Sequence, residues 1–488
     1  MSLAETKREL PVVIQGGMGV GISNWELARA VAIAGRDFDT PVLGVVSGTG
    51  VEVLLVRRLQ DGDPGGHMRR ALAAFPAPEI TNYILNKYFG DISKPPSARY
   101  RNAPKLADLL SNNPLRVREM NGLSIAANFV EVWLAKEGHD RPIGINHLEK
   151  IQLLHLPRLL GAMLAGVDFV LEGAGIPDQV PGVLDRFANL EPAKYKVDVA
   201  GSRDKLEMNL DPTSFGFDRQ LRRPTFLAII ASNVLAKVLA DPRKVSGQVD
   251  GFVVEGPTAG GHNAPPRGKL NLTELGEPIY GIKDLVDLDE IAKLKLPFWL
   301  AGSYGSPEQL AVARAFGATG IQVGTIFALC KESGMRDDLK RRVHQLVEEG
   351  NLKIQTSLLA SPTGFPIKVA LIGETLSEQK VYDGRIRRCT IDHLVRPYQT
   401  PAGKIGVRCP AEPANAFVQK GGNLRDTEGS MCICNGLAAT AGYPQLDKLG
   451  LEPPVVTLGD DIGCILGIPR RPDGSYSAEA ALRYLLGK

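Results

Sequence analysis

Eight short runs of aliphatic and β-branched residues, most of them ending in glycine or a small polar residue, most restrict the folds open to this 488-residue chain. They span Pro11–Gln15, Pro41–Val46, Leu123–Asn128, Phe169–Gly173, Thr225–Ala231, Gly251–Gly256, Pro297–Gly302 and Gly320–Thr325. Runs that are apolar along their length suit strands buried on both faces, as in a parallel sheet. Helical patterns lie between them. Asn24–Ala34 sets Trp25, Leu27, Ala28 and Val31 on one stripe behind an Asn N-cap, and Ser306–Phe316 opens on Ser-Pro and stops at Gly317. Alternation of this kind, repeated eight times, predicts a (β/α)8 TIM barrel, an α/β fold whose chemistry gathers where the strands end.

Two long gaps read as insertions on βα loops, near residues 81–118 and 178–224. The first holds Lys94-Pro95-Pro96, Arg99, Arg101 and Lys105, read as a solvated surface. Past residue 375 the alternation fades, so residues 1–375 are expected to form the barrel and 376–488 a C-terminal cap of irregular α+β structure. Lys plus Arg number 57 against 54 Asp plus Glu. That balance is too even to announce nucleic-acid or membrane-surface binding. The first ten residues lack an apolar h-region, no run of about 18 apolar residues occurs, and six cysteines do not make a secreted disulfide framework. A cytoplasmic protein is expected, with a homodimer as an open option.

The strand ends carry the chemistry. Gln15-Gly16-Gly17-Met18 and Ser47-Gly48-Thr49-Gly50 allow backbone amides to approach a flat ligand. Gly302, Ser303, Gly324 and Thr325, after the seventh and eighth runs, suit a phosphate held by main-chain N–H groups; no G-x4-G-K-[ST] loop competes with them. After the sixth run, two glycines precede His262 at the expected barrel mouth, where an imidazole of ordinary pKa near 6.5 can move a proton. His67, His139, His147, His155, His344 and His393 read as surface-loop histidines.

These strings together resemble the nitronate monooxygenase family, also called 2-nitropropane dioxygenase-like, with its FMN-dependent enoyl-acyl-carrier-protein reductase relatives. The matching strings are VIQGGMG from Val13, VSGTG from Val46, EGAGIP from Glu172, EGPTAGGH from Glu255, LAGSYG from Leu300 and IQVGT from Ile321. They run in order through roughly residues 8–335. Gly16-Gly17-Met18 stands where the family often has A-P-M, and Gly302-Ser303-Tyr304 where it has G-G-I, as in a large divergent branch. The resemblance implies non-covalent FMN, with Gln15, Gly17 and Met18 around the isoalloxazine and Ser47, Gly48 and Asn128 near the flavin or ribityl chain. Gly260 and Gly261 would flank the ring, and Gly302, Gly324 and Thr325 would hold the phosphate. Glu172, Ala301, Ser303 and Gln322 complete the expected cofactor contacts. His262 matches the catalytic histidine.

Three functions follow from this reading. The first is oxidation of alkyl nitronates with O2 to a carbonyl compound and nitrite, His262 holding the nitronate or taking the α-proton. The second is NAD(P)H-dependent, FMN-mediated reduction of enoyl thioesters or quinones. The third is a flavin- or metal-binding module without turnover, built on Cys389, Cys409, Cys432 and Cys434. Because Cys432-Ile433-Cys434 is tighter than the usual C-x2–4-C spacing, these four are read as structural thiols and no metal is expected.

Overall fold

The computed structural model describes residues 9–90, 99–447 and 450–488. The first eight residues and Lys94-Pro95-Pro96 lie outside the described residues. Eight parallel strands close into a barrel: β1 (Val13–Gln15), β2 (Val42–Ser47), β3 (Ile143–Leu148), β4 (Phe169–Gly173), β5 (Thr225–Ile230), β6 (Gly251–Glu255), β7 (Phe298–Ala301) and β8 (Gly320–Val323). Each pairs with its neighbours in this order, and Val13 opposite Ile321 joins β1 to β8. Ile14, Leu43, Val45, Phe169, Leu171, Leu227, Val253 and Trp299 fill the interior. The outward residues of the same strands meet the helices, which is why the runs are apolar throughout. Trp299 can be buried because its Nε1 donates to Pro11 O (2.6 Å).

One expected strand is a helix. Leu123–Asn128 lies inside Pro114–Lys136, which starts on Pro114 with Asn113 as N-cap. Residues 120–132 of this helix are buried without a break. A helix sunk on all sides yields a continuous apolar run, which periodicity cannot separate from a buried strand. The true third strand was hidden by Asn146 and His147, polar residues that interrupt its run. The helix is crossed by His155–Leu164 at Gly161, where a Cβ would stand 2.2 Å from Ile125 O.

The insertions brace the barrel wall. The first contributes the helix Pro78–Tyr88 and the turn Leu106–Leu110 before Pro114–Lys136 begins. The second contributes the helix Val180–Ala188 and a hairpin of Ala193–Val197 with Leu206–Leu210. Tyr195 of this hairpin stacks on His155 (4.6 Å). Beyond the barrel, Ile354–Ser357 pairs with Ile367–Ala370 at the mouth. The C-terminal residues divide: Ile433–Thr440 roofs the mouth, whereas Ala478–Leu485 returns to pack on the helix Trp25–Ala34. Tyr476 Oη donates to Ile326 O (2.6 Å), and Leu376, Ile433 and Leu482 belong to the same buried cluster as Val13 and Phe327. Among the described residues no helix is long and apolar enough to cross a membrane.

A buried ion pair ties the β2 side together. Glu52, at 0% exposure, accepts from Arg158 Nε (2.8 Å) and Nη2 (3.1 Å) and from Ser124 Oγ (2.8 Å). Burial opposes ionisation, but Arg158 and the nearby His393 outweigh it and hold Glu52 at about 2, below its ordinary 4.5. A depressed carboxyl stabilises the fold above its unfolded value and loses that contribution as pH falls toward the folded one. Glu52→Gln is therefore expected to cost about 3–5 kcal/mol at pH 7 and to flatten the stability curve between pH 4.5 and about 2. Urea unfolding across that range checks it, and an unchanged acid limb would refute the assignment. Gly161→Ala is expected to cost about 1–3 kcal/mol by forcing two packed helices apart; the same measurement, with no shift in midpoint, would contradict it.

Candidate active site

A cavity of about 260 Å³ opens at the C-terminal ends of the strands, where a parallel barrel exposes the amides and side chains that its interior has no room for. Its floor follows from the strand register. Glu255 lies opposite Ala301, and Ala301 opposite Gln322, so the three share a face. Ala301 belongs to the barrel-interior cluster, which puts Glu255 and Gln322 on the inward face to either side of a small residue. Asn146, paired with Leu171 of the same interior, adds a third polar group. Gln322 Oε1 and Asn146 Oδ1 are buried with no hydrogen-bond partner among the described residues.

The walls are the loops after β1, β6, β7 and β8. Gly302 has φ +97°, a conformation that favours glycine, and a Cβ there would meet Thr258 Oγ1 at 2.9 Å. Its neighbour Ser303 (φ 60°) and Ala174 after β4 (φ 58°) are non-glycine residues in the left-handed region, a strained backbone of the kind that collects at functional sites. Thr325 Oγ1 accepts from Gly459 N (2.9 Å), so its hydroxyl hydrogen remains to donate. Leu394, Ile433, Cys434, Leu437 and Leu458 close the cavity from the C-terminal side.

His262 sits on a strip of backbone pinned from both sides. Lys368 N donates to Gly261 O and Asn263 N to Pro366 O, each at 2.9 Å, and Asp460 N donates to Thr258 O (3.0 Å). At Gly260 a Cβ would lie 2.8 Å from Gly459 N. This glycine serves the approach of the C-terminal segment. The half-buried His262 contacts Ser361 Oγ through Nε2 (2.7 Å), and Ser361 Oγ contacts Thr363 Oγ1 (2.8 Å). Burial, with Lys150 adding to it, pushes the imidazole down to about 4, away from the near-neutral value expected of a loop histidine. At pH 7 it is neutral. Burial acts oppositely on Glu255 and raises it to about 8. No ion pair or hydrogen bond reaches its carboxyl among the described residues.

Eleven of the expected residues line the cavity: Gly17, Met18, Gly260, Gly261, His262, Ala301, Gly302, Ser303, Gln322, Gly324 and Thr325. Five stand outside it. Gln15 turns to the protein, donating to Gly16 O (2.5 Å) and Ser23 Oγ (2.9 Å) and accepting from Val45 N (3.0 Å). Ser47 accepts from Thr49 N (3.3 Å), and Gly48 makes room for His147, whose Cε1 would be 2.3 Å from a Cβ. Asn128 lies on the helix that replaces the expected strand and donates to Ser124 O (2.9 Å). Glu172 faces the opposite side of β4 from Leu171 and holds His155 (2.5 Å). The surface reading fails for four histidines: His147, His155, His344 and His393 are buried, and His147 and His393 line the cavity. The four clustered cysteines are free, Cys434 lines the cavity, and no metal-holding group of three His, Cys, Asp or Glu occurs among the described residues.

Asn146, Glu255 and Ser361 were missed. Glu255 could have been found by phasing the pleat of β6, because it lies two residues beyond the interior Val253. Ser361 left no sequence signal; it reaches His262 from 99 residues away.

Residues 208–361 match the model of the nitronate monooxygenase family, the one to which the motifs point. The matched stretch contains β5 to β8, Glu255, His262 and Ser361. The chain is 32% identical over 111 residues to the (3aS,4S,5R,7aS)-5-hydroxy-7a-methyl-1-oxo-octahydro-1H-indene-4-carboxyl-CoA dehydrogenase of Mycobacterium tuberculosis (strain ATCC 25618 / H37Rv). That stretch is 22% of this chain and 28% of the relative, so the chain spans under a third of the curated protein it matches. Among solved structures, FabK from Thermotoga maritima covers 98% of this chain and 92% of its own at 14% identity, with a TM-score of 0.44. Nitroalkane oxidase from Streptomyces ansochromogenes covers 98% and 95% at 15% identity, with a TM-score of 0.43. Likenesses this distant add nothing to the barrel that the strands of this chain form.

Gly260→Ala is expected to push Leu458–Gly459 off the β6 loop and unroof the cavity. Limited proteolysis of the C-terminal segment should accelerate in the variant; unchanged cleavage would show that the contact is not needed.

Proposed function

We propose that this chain, which carries the nitronate monooxygenase family domain over residues 208–361, is an FMN-dependent oxidoreductase that acts on alkyl nitronates and their parent nitroalkanes. The observation that carries the reading is a neutral His262 fixed on a pinned loop at the wall of a glycine-lined cavity. The residues present fit a flat, phosphate-bearing cofactor. Gly302 and Gly324 bring bare main chain to the ends of β7 and β8, and the orphaned oxygens of Asn146 and Gln322 suit the N–H edge of a heteroaromatic ring. Gly17 and Met18 supply the opposite wall. Bound flavin would supply the two-electron chemistry, with O2 or NAD(P)H as the other redox partner.

The chain's own residues handle the proton. When Nε2 of His262 carries the hydrogen and donates to Ser361 Oγ, Ser361 passes its own hydrogen to Thr363 Oγ1, and Nδ1 is left as the lone-pair nitrogen. That tautomer accepts a proton from the carbon beside a nitro group, and the ring so protonated donates a hydrogen bond from Nδ1 to the anion that results. Ser361 is then a positioning residue. The roof of Leu394, Ile433 and Leu437 keeps water from the reacting carbon.

A second reading, NAD(P)H-dependent reduction of an enoyl thioester or a quinone, is favoured by the curated relative, named as a carboxyl-CoA dehydrogenase. The reading assigns the protein to the cytoplasm, which its six free cysteines support.

The purified protein is expected to be yellow, and anaerobic addition of propyl nitronate is expected to bleach it. Bleaching by NAD(P)H alone would favour the second reading, and a colourless protein that takes up no FMN would end both. His262→Asn should retain the colour and lose about 10²–10⁴ in kcat. Full turnover by that variant would remove the histidine from the mechanism.

A further inference from the structure

Glu255 takes no part in the chemistry described so far. It ends β6 on the inward face, beside Ala301, in a row that continues to Gln322. It is also a shared wall: with His262, Ala174 and Ile229 it lines both the main cavity and a side chamber beside it. No ion pair neutralises it among the described residues. The charged and titratable groups on the surrounding elements include His262, Glu149, Lys150, Asp178, Lys196, Asp198 and Lys205 around the chamber, and Arg267, Tyr280 and Asp284 on the loop after β6. None forms an ion pair or hydrogen bond with it among the described residues. Arg267 is turned away, donating to the carbonyls of Lys283 and Ala231.

We propose that Glu255 is a second catalytic residue of this cavity, a carboxylic acid whose O–H donates to an oxygen of the substrate while His262 takes a proton from the adjoining carbon. The inference rests on the reading of the cavity as the catalytic one and adds the class of substrate: a carbon acid whose conjugate base carries its charge on oxygen. A nitroalkane and an α-C–H thioester both belong to it. The balance is simple. The C–H bond breaks, its proton goes to His262 Nδ1, and its electron pair forms a double bond from carbon to the nitro nitrogen or to the carbonyl carbon. The charge settles on the oxygen that Glu255 faces, and no outside oxidant is needed for this step.

Burial raises Glu255 to about 8 and lowers His262 to about 4, so between these values one bears a proton and the other can receive one. Environments that push two groups apart in this way mark an acid and its base. The half-buried Glu255, kept neutral at the cavity wall, is a preorganised donor toward a developing oxyanion.

The experiment has two arms on the full-length protein. In the first, pH-difference infrared spectra of wild type and Glu255→Gln are compared without substrate. A protonated-carboxyl band at pH 7 that fades as pH passes about 8, absent from the variant, is expected; its absence from wild type at pH 7 overturns the proposal. In the second, kcat is measured for Glu255→Leu and Glu255→Gln with nitroethane, a neutral carbon acid. Loss of about 10²–10³ in Glu255→Leu, partial recovery in Glu255→Gln and loss of the alkaline break in both are expected, with flavin absorbance unchanged. Wild-type kcat and an unaltered alkaline limb in Glu255→Leu also overturn it. A colourless protein that keeps the infrared band would sink the flavin reading while leaving the neutral acid in place, so the two failures are distinguishable.

Discussion

The loop after β6 turns between two segments that arrive from beyond the barrel, and the site's geometry depends on how it is held. Gly261 O accepts from Lys368 N, Pro366 O from Asn263 N, and Thr258 O from Asp460 N. Main-chain bonds of this kind fix the path of the loop so long as residue 260 carries no Cβ. Lys368, at 3% exposure, reinforces them by donating to Thr356 Oγ1 (2.8 Å) and pairing with Asp460 (2.8 Å). The ammonium thus links the mouth hairpin to the C-terminal segment. His262 is a loop residue in sequence and a strand residue in mechanics, and such rigidity lets a histidine be aimed to within a fraction of an ångström.

The same burial has opposite consequences for Glu255 and His262, which share the cavity wall. Removal from water disfavours whichever form is charged, so a carboxyl rises and an imidazole falls. With no opposite charge paired to either among the described residues, Glu255 and His262 both shift toward neutrality at physiological pH. Behind the β2 wall the outcome differs. Glu52 stays ionised because Arg158 meets it with two hydrogen bonds. Buried charge thus survives where a partner meets it, at Glu52 with Arg158 and at Lys368 with Asp460.

Most of the barrel was legible because two-sided burial writes itself into the chain as unbroken aliphatic runs. The exception is informative. Leu123–Asn128 is as apolar as any strand, yet it belongs to a helix enclosed on every side, whereas β3 carries Asn146 and His147. Burial alone does not reveal the backbone period. The glycine-rich strand ends do gather, and Gly302 and Gly324 meet at one cavity. Residues chosen for their position after a strand lie elsewhere: Gln15, Ser47 and Glu172 stand outside the cavity and bond to Ser23, Thr49 and His155.

Sequence by itself determined the alternation of strand and helix, the bare main chain at the barrel mouth and the histidine after β6, because each is a local property of residue type and spacing. Tertiary structure alone decided that Ser361 meets His262, that Asp460 reaches Thr258, and that Glu255 and His262 are driven to neutrality. Those outcomes depend on segments far apart in the chain coming together over the barrel. Desolvation and contact are set by what surrounds a group in space, which no local pattern encodes.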